Sequence, residues 1–206
     1  MFLNNIISEI LTIQTQRNVI ILALCGSADT GKTTLAERIC DELNKIQIKS
    51  DHLSTDSFLI DREERNIKGI SGYNLAALKS NELLDAVEIL EQGNGLTYYP
   101  YDNKSGKNVS ECRLIKESNV IIIEGIHSFN EIIRNKIDLK IYIDAERDVL
   151  KKLRFKANIN KRDFSEKEAG EKIDKEIEEF NKYILPNRKH SDLIIEITEK
   201  YNYKIK

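Results

Sequence analysis

Several residue types are scarce in this 206-residue chain, and each scarcity argues against a class of protein. The chain has two prolines, no tryptophan and three cysteines, and its net charge is only -2 although 32% of its residues are charged. An odd number of cysteines (Cys25, Cys40 and Cys112) without C-x-x-C spacing argues against a disulfide framework or a zinc site. A balanced charge creates no large uniform field, so neither nucleic acid nor a membrane is expected as a partner.

Long apolar runs are also missing. No run approaches the ~18 residues of a membrane span, and residues 1–17 begin without the basic region of a signal peptide. Their spacing instead predicts an amphipathic helix with Phe2, Ile6, Ile10 and Ile13 on one stripe. The length suits one α/β domain, so we expect a single cytoplasmic domain over residues 1–206.

Short apolar runs of strand length alternate with stretches of helical spacing. The runs cover residues 19–25, 46–53, 120–123, 139–143 and 193–197, and the helical stretches include 33–43, 81–90 and 172–184. This alternation predicts parallel βαβ units. Ligands of such sheets bind beyond the carboxyl ends of the strands, so the residues just after each run are the candidates for function.

The residues after the first run have the spacing of a phosphate-binding loop. Residues 19–34 read VIILALCGSADTGKTT, so a strand leads through two glycines and Gly-Lys-Thr into a helix. Glycines let backbone N–H groups surround phosphate oxygens, and the helix N-terminus adds unpaired amides and a positive dipole end. The predicted nucleotide-binding residues are Gly26, Ser27, Ala28, Asp29, Thr30, Gly31, Lys32, Thr33 and Thr34.

Three residues of this P-loop have individual expectations. Lys32 should reach the outer phosphates, and the Thr33 hydroxyl should provide a ligand for phosphate-bound Mg²⁺. Asp29 is unusual because it brings negative charge towards phosphates, so it either points outward or weakens triphosphate affinity. With the strand pattern, the motif predicts a three-layer P-loop NTPase-type α/β fold with a five-stranded parallel sheet, helices on both faces, and small lid and hairpin insertions.

Two carboxylates follow other predicted strands at the same edge of the sheet. Asp56 lies in the segment STDSF, where it could ligate the metal or accept the proton of an attacking hydroxyl, or simply cap a turn. Glu124 ends the run NVIIIEG, a position suited to a magnesium ligand opposite the P-loop hydroxyl. The sequence therefore predicts a metal site formed by Thr33, Asp56 and Glu124.

Taken in order, these motifs resemble a known family. The segments GSADTGKTTLA, STDSF, YPYDNKSGK, VIIIEGIHSF, LKIYIDAERD and HSDLIIEI resemble the uridine kinase branch of the uridine kinase, phosphoribulokinase and pantothenate kinase superfamily, over residues 19–197. The resemblance implies ATP and Mg²⁺ as cofactors and Asp56 as the general base. It also implies that Glu124 lies in the Mg²⁺ region and that Tyr101 and Asp102 lie beside the acceptor.

The resemblance further implies a lid that carries arginines over the phosphates. The matching residues are Arg154 and Arg162, in a segment at about residues 150–165 that is rich in lysine and arginine. Because like charges repel unless phosphates gather them, we expect this lid to be mobile without nucleotide and ordered with it. The following Glu/Lys-rich segment, 165–182, is interpreted as a helix with a solvated face.

The chain departs from uridine kinases on the acceptor side. Gly106 stands where those enzymes have a histidine that reads the pyrimidine, and Leu59 and Leu150 replace an aromatic residue and an arginine. Asn74 replaces a carboxylate that contacts the sugar, although its amide can still hydrogen-bond a hydroxyl. We therefore expect weak uridine phosphorylation, with Tyr101, Asp102 and Asn74 giving residual recognition.

The leading hypothesis is an ATP-dependent phosphotransferase of the uridine kinase type, in which Lys32, Asp56, Arg154 and Arg162 are catalytic. Its partner would be a small-molecule phosphate acceptor, a nucleoside or similar alcohol, and a homo-oligomer is compatible with the sequence. Two alternatives stay open. One is a kinase for a non-nucleoside alcohol such as pantothenate, and the other is a P-loop regulator that binds nucleotide without phosphorylating an acceptor.

Overall fold

The computed structural model describes residues 2–14, 16–198 and 200–206. The strands are β1 (Ile20–Gly26), β2 (Ser50–Ser54), β3 (Leu96–Tyr98), β4 (Tyr101–Asp102), β5 (Lys107–Asn108), β6 (Arg113–Ile115), β7 (Val120–Glu124), β8 (Leu139–Asp144), β9 (Leu193–Ile197) and β10 (Tyr203–Ile205). The helices are α1 (Phe2–Gln14), α2 (Lys32–Lys45), α3 (Arg62–Ile67), α4 (Ser80–Glu91), α5 (Arg147–Arg162) and α6 (Glu166–Tyr183). Short 3₁₀ turns cover Thr55–Phe58, Leu75–Ala77, Arg134–Lys136 and Leu185–His190.

Six strands form the central sheet, in the order β10-β9-β8-β1-β7-β2. The strands from β9 to β2 pair in parallel, which confirms the five predicted parallel strands. β10 is a sixth strand that we did not predict, and it pairs antiparallel with β9 through Tyr203 and Ile197. With only three residues and no apolar run, β10 carries too weak a pattern to be recognised.

One predicted strand begins later than its apolar run. Residues 46–53 were expected to be extended, but β2 begins at Ser50 and this part of the prediction was wrong. Helix α2 continues to Lys45, and Gln47 turns the chain with a φ of 64°. Ile46 is left 51% exposed in that turn, so an apolar residue was mistaken for part of a strand.

Helices cover both faces of the sheet, as predicted. Alternate residues of β1 point to opposite sides, so that Ile21 and Ala23 pack with α4 and α6, whereas Ile20 and Leu22 pack with α1 and α2. The stripe predicted for the N-terminal helix is correct, because Ile6 and Ile10 are fully buried. Among the described residues, no helix has the length and apolar character needed to cross a membrane.

Two insertions flank the carboxyl edge of the sheet. The pairs β3–β6 and β4–β5 form two small antiparallel ribbons between α4 and β7. On the other side, the segment predicted as a lid, at about residues 150–165, comprises most of α5 and the turn into α6, where Asp163 has a φ of 56°. The P-loop lies between these insertions, so they form the walls of the candidate site.

Candidate active site

The P-loop is built from residues whose backbone conformations suit a tight phosphate-binding turn. Gly26 ends β1 with a φ of 142°, and Gly31 precedes α2 with a φ of 77°. A Cβ at Gly26 would collide with the Ile143 carbonyl oxygen, so a larger residue would push β8 away. Asp29 adopts a φ of 63°, a left-handed conformation that aspartate tolerates better than most residues.

The Lys32 side chain folds back over the P-loop. Its Nζ donates hydrogen bonds to the carbonyl oxygens of Ser27, at 2.7 Å, and Gly26, at 3.3 Å. Burial lowers the pKa of this ammonium, and the nearby Glu124 carboxylate opposes that shift. The two carbonyl contacts therefore hold the Lys32 ammonium at the position where the outer phosphates are expected.

Thr33 and Glu124 are adjacent, as the sequence predicted. Thr33 is the second residue of α2, and its hydroxyl donates a 3.1 Å hydrogen bond to Oε1 of Glu124 at the end of β7. Burial raises the pKa of the Glu124 carboxyl, and the Asp56 charge raises it further. A hydroxyl beside a buried carboxylate offers the hard oxygen ligands that Mg²⁺ prefers.

The described residues contain no group of three or more His, Cys, Asp or Glu side chains arranged to hold a metal ion. A Mg²⁺ at Thr33 and Glu124 would therefore take its remaining ligands from phosphate oxygens and water, which is usual for this ion. The donor set fits a nucleotide-associated magnesium rather than a metal held by protein alone.

Asp56 follows β2 in the 3₁₀ turn Thr55–Phe58 and lines a cavity of about 300 Å³. Because β2, β7 and β1 are neighbours in the sheet, their ends bring Asp56, Glu124 and the P-loop together at one edge. The cavity is lined by most of the predicted residues: Ala28, Asp29, Gly31, Lys32, Thr33, Thr34, Asp56, Tyr101, Glu124, Arg154 and Arg162. Gly26, Ser27 and Thr30 complete the loop behind it.

The Asp29 carboxylate lies within ion-pair distance of three cations of the lid segment: Arg154, Lys161 and Arg162. Arg154 Nη1 lies 2.6 Å from Asp29 Oδ2, and Arg162 Nη1 lies 3.3 Å from the same oxygen. The Asp29 side chain is only 5% exposed. Burial opposes its ionisation, but the charges of Arg154, Arg162 and Lys161 outweigh burial and lower the pKa of the carboxyl.

Glu176 of α6 holds Arg154 from the other side. Arg154 Nε and Nη2 donate to the two Glu176 carboxylate oxygens at 2.7 and 2.8 Å, a bidentate geometry, and its Cζ lies 5.9 Å from the Tyr73 ring centroid. Asn158 donates to the same carboxylate at 3.1 Å. The interpretation of segment 165–182 as a solvated face is therefore wrong for Glu176, which faces the lid and the cavity.

A second group of side chains surrounds the part of the cavity next to Asp56. Arg65 of α3 donates from Nη2 to the Tyr101 hydroxyl, and its Cζ lies 5.8 Å from the Tyr101 ring centroid. His127 is 2% exposed and its Nε2 lies 2.7 Å from the Gly72 carbonyl oxygen. Burial lowers the pKa of His127, so the imidazole is neutral and donates to that carbonyl.

Two predicted substrate residues are not brought to the cavity. Asn74 caps the turn Leu75–Ala77 by accepting from the Ala76 N–H at 2.9 Å, and its amide donates to the Tyr183 hydroxyl. Asp102 accepts from the N–H groups of Lys104 and Ser105, at 3.0 and 2.8 Å, inside the β4–β5 turn. These local hydrogen bonds occupy both side chains, so their contacts do not favour a role in binding the acceptor.

The departures from the uridine kinase pattern have structural counterparts. Gly106 has a φ of 78°, and a Cβ at this position would collide with the Arg62 side chain. Arg62 Nη1 donates a 3.2 Å hydrogen bond to the Lys104 carbonyl oxygen. Leu150 is 6% exposed within the core. Leu59 also lines the cavity as an apolar residue. At this side of the cavity the lining residues include Arg62 and Arg65.

Sequence reasoning missed several residues of the site. Arg65 and Glu176 stand in strongly charged segments, DREERN and KEIEEF, that look solvated. The hydroxyls of Tyr201 and Tyr203 donate to the P-loop carbonyls of Asp29, at 3.1 Å, and Gly31, at 3.3 Å. Only the unusual Asp29 gave a signal, because a carboxylate in a P-loop requires cations nearby.

Comparisons with known proteins agree with this geometry. The model of the Phosphoribulokinase / Uridine kinase family matches residues 21–203. Uridine kinase-like protein 3 of Arabidopsis thaliana is 31% identical over 188 residues, which cover 85% of this chain and 38% of that protein. The chain therefore spans about two fifths of the length of this relative. A uridine kinase of Clostridium novyi is 27% identical over 188 residues, with 85% of this chain and 86% of that protein covered.

A solved structure shares the fold. Phosphoribulokinase from Rhodobacter spheroides superimposes with a TM-score of 0.68 at 18% identity, covering 87% of this chain and 70% of that one. At this identity the likeness concerns the fold alone. The family match, the P-loop and the arrangement of strands agree, and this chain belongs to the Phosphoribulokinase / Uridine kinase family.

Proposed function

We propose that this protein transfers the γ-phosphate of ATP to a hydroxyl group of a small molecule. The observation that carries the proposal is the meeting of Asp56, Lys32 and Glu124 in one cavity at the carboxyl edge of the sheet. A carboxylate next to a triphosphate site can serve as the base for an attacking hydroxyl, which a nucleotide switch does not need.

The chain's residues divide the work in this proposal. Asp56 accepts the proton of the acceptor hydroxyl as its oxygen forms the bond to the γ-phosphorus, and the bond to the β–γ bridging oxygen breaks. Lys32 neutralises charge on the outer phosphates, and Arg154 and Arg162 approach from the lid. Thr33 and Glu124 are the residues that would hold a Mg²⁺, and the ion would supply positive charge for the phosphate groups.

The lid arginines must be shared between protein and substrate. Arg154 and Arg162 donate hydrogen bonds to Asp29, so phosphates bound at the P-loop would compete with that carboxylate for them. This arrangement keeps the cations beside the P-loop and reduces the reorganisation that transfer requires.

The proposal is tested by the Asp56→Asn variant, which keeps the shape of the side chain but cannot accept the proton. We expect acceptor phosphorylation to fall by roughly 10²–10⁴-fold, with MgATP affinity unchanged, since general-base catalysis contributes about that factor. Asp85→Asn is the matched control, because this exposed carboxylate lies on α4 outside the cavity. Uridine and cytidine are the first acceptors to assay, since the relatives are named for them.

Unchanged phosphorylation by Asp56→Asn would show that Asp56 is structural. The regulator hypothesis makes a different prediction: no alcohol accelerates ADP release, and Asp56→Asn hydrolyses ATP at the parent's slow rate. Acceptor-dependent ADP release in the parent, lost in Asp56→Asn but kept in Asp85→Asn, would support the kinase.

A further inference from the structure

Arg65 is a buried cation that forms no ion pair with any described residue. Only 8% of the residue is exposed, and its Nε has no hydrogen-bond partner in the described part of the chain. Within residues 2–14, 16–198 and 200–206, the guanidinium forms one hydrogen bond, from Nη2 to the neutral hydroxyl of Tyr101. None of the ion pairs among the described residues includes Arg65, in contrast to Arg154, which contacts Asp29 and Glu176.

An unpaired buried guanidinium is costly, because arginine stays ionised at physiological pH and loses its hydration on burial. In native proteins such groups are normally satisfied by a partner from outside the chain, such as a bound ligand, an ion or an ordered water. Arg65 lines the cavity that also contains Asp56, so the ligand that completes it is the molecule bound next to the proposed base.

The surroundings hold the guanidinium in place. Nη1 lies against Gly72, where a Cβ would collide with it, and the Tyr101 ring covers the group at 5.8 Å. Gly72 in turn accepts from His127, which fixes this stretch of backbone. A rigid guanidinium with unused donors is suited to a planar carboxylate or a phosphate group.

Other residues of this half of the cavity do not supply the missing charge. In the described part of the chain, the carboxylates that line the cavity are Asp29, Asp56, Glu124, Glu176 and Glu179, and none of them forms an ion pair with Arg65. The lining also includes Leu59, Ile70 and Tyr101. Arg62 adds a second positive charge near Gly106. The acceptor end is thus cationic apart from the carboxylate that the transfer itself requires.

Building on the proposed function, we infer that the phosphate acceptor is an anionic small molecule whose carboxylate or phosphate group binds Arg65. The hydroxyl of the same molecule would face Asp56. A neutral nucleoside would leave the guanidinium without a counter-charge, so it should be a poor acceptor.

The test uses matched neutral and anionic alcohols with parent, Arg65→Met and Arg65→Lys proteins. Glucitol against gluconate probes a carboxylate, and ribose against ribose 5-phosphate probes a phosphate, with uridine as the neutral nucleoside. We expect the parent to prefer one anionic member over its neutral partner by roughly 10²-fold or more in kcat/KM, the discrimination of a site left with unpaired polar groups.

Arg65→Met should abolish that preference, mainly by raising KM for the anionic acceptor. Arg65→Lys should retain part of it, because lysine keeps the positive charge but lacks the paired N–H donors of the guanidinium. Arg147→Met, an exposed arginine at the start of α5, is the control and should behave as the parent. A neutral acceptor that the parent uses best, and that Arg65→Met uses equally well, would overturn the inference while leaving the kinase proposal standing.

A binding measurement decides the case in which no panel member is phosphorylated. With a non-hydrolysable ATP analogue filling the P-loop, millimolar phosphate or acetate should raise the Tm of the parent and of Arg147→Met but not of Arg65→Met. Equal Tm shifts in all three proteins would overturn the inference. If no panel member is phosphorylated but the Tm shift depends on Arg65, the result would support the anion site and count against the kinase proposal.

Discussion

The positive side chains have different partners in the two halves of the cavity. The phosphate half lies next to the P-loop and the lid arginines, and the proposed acceptor half lies next to Asp56 and Arg65. In the phosphate half, Arg154 and Arg162 are already paired with Asp29, and Arg154 also with Glu176. In the acceptor half, Arg65 is buried without any such pair in the described chain. A ligand of the first half competes with protein carboxylates for the two lid arginines, Arg154 and Arg162, whereas a ligand of the second half supplies the charge that Arg65 lacks.

This difference has a consequence for selectivity. ATP brings several negative charges and Mg²⁺, so it can compete with Asp29 and still gain free energy. A small acceptor has few groups to offer, and a pre-positioned guanidinium gives it affinity without any exchange of partners. In the phosphate half, the ion pairs therefore hold the arginines in position for binding. In the acceptor half, the unpaired guanidinium distinguishes anionic from neutral acceptors.

The largest effect is expected from Lys32→Ala in the phosphate half. Lys32 is buried and has no carboxylate within ion-pair distance in the described chain, so its charge remains available for phosphates. Turnover should fall by roughly 10²–10³-fold or more, as for the loss of one group that stabilises the transition state. Steady-state kinetics measure the loss, and circular dichroism checks the fold.

Lys49→Ala is the control for this prediction, because Lys49 is an exposed lysine after α2 and outside the cavity. Near-parent turnover in a folded Lys32→Ala protein would remove the P-loop lysine from the mechanism. The phosphate half would then depend on Arg154 and Arg162 alone for the positive charge that transfer requires.

Asp29→Asn should have an intermediate effect that sharpens the contrast. The amide keeps the tolerance for a φ of 63° but removes the charge that Arg154 and Arg162 share. Among the described residues, Arg162 then has no ion pair, as Arg65 has none in the acceptor half, whereas Arg154 keeps its pair with Glu176. ATP should bind between roughly threefold and tenfold more tightly, since a negative charge near the phosphates is gone. Without nucleotide, the free energy of unfolding should fall by about 1–3 kcal/mol, because a buried ion-pair partner is lost. The loss is no larger because Glu176 still pairs with Arg154.

The stability change has a defined dependence on pH. The folded pKa of Asp29 is lowered from 3.8, so its carboxylate stabilises the fold at higher pH and this contribution is lost as pH falls below about 3.8. Denaturation of parent and Asp29→Asn across this range should show a difference that shrinks with acid. A constant difference, or weaker ATP binding by the variant, would contradict the role given to Asp29.

Much of the fold could be predicted because its signals are local. The apolar run before Gly26 and the helical period after Lys32 each specify one element of known length. The P-loop and the strand-end carboxylates Asp56 and Glu124 follow from the same pattern, since parallel strands bring their ends to one edge. Those predictions needed no long-range contact.

The charged residues of the walls could not be predicted in the same way. Arg65 and Glu176 are surrounded in sequence by other charges, so nothing local separates them from a solvated helix face. Their burial depends on Tyr101, 36 positions from Arg65, and on Arg154, 22 positions from Glu176. Asn74 and Asp102 lie outside the cavity lining for the converse reason, because local turns take their hydrogen bonds.

The smallest effect is expected in the motion of the lid. The sequence alone predicted a segment at about residues 150–165 that is mobile until phosphates gather its cations, whereas Asp29 and Glu176 already gather Arg154 and Arg162. A non-hydrolysable ATP analogue should therefore slow hydrogen exchange across this segment only modestly in the parent. In Asp29→Asn, where one tether is lost, the empty lid should exchange faster and the analogue should protect it more. Equal protection of the lid with and without the analogue in both proteins would mean that α5 and α6 form a fixed wall, and that the carboxylates of the phosphate half serve stability alone.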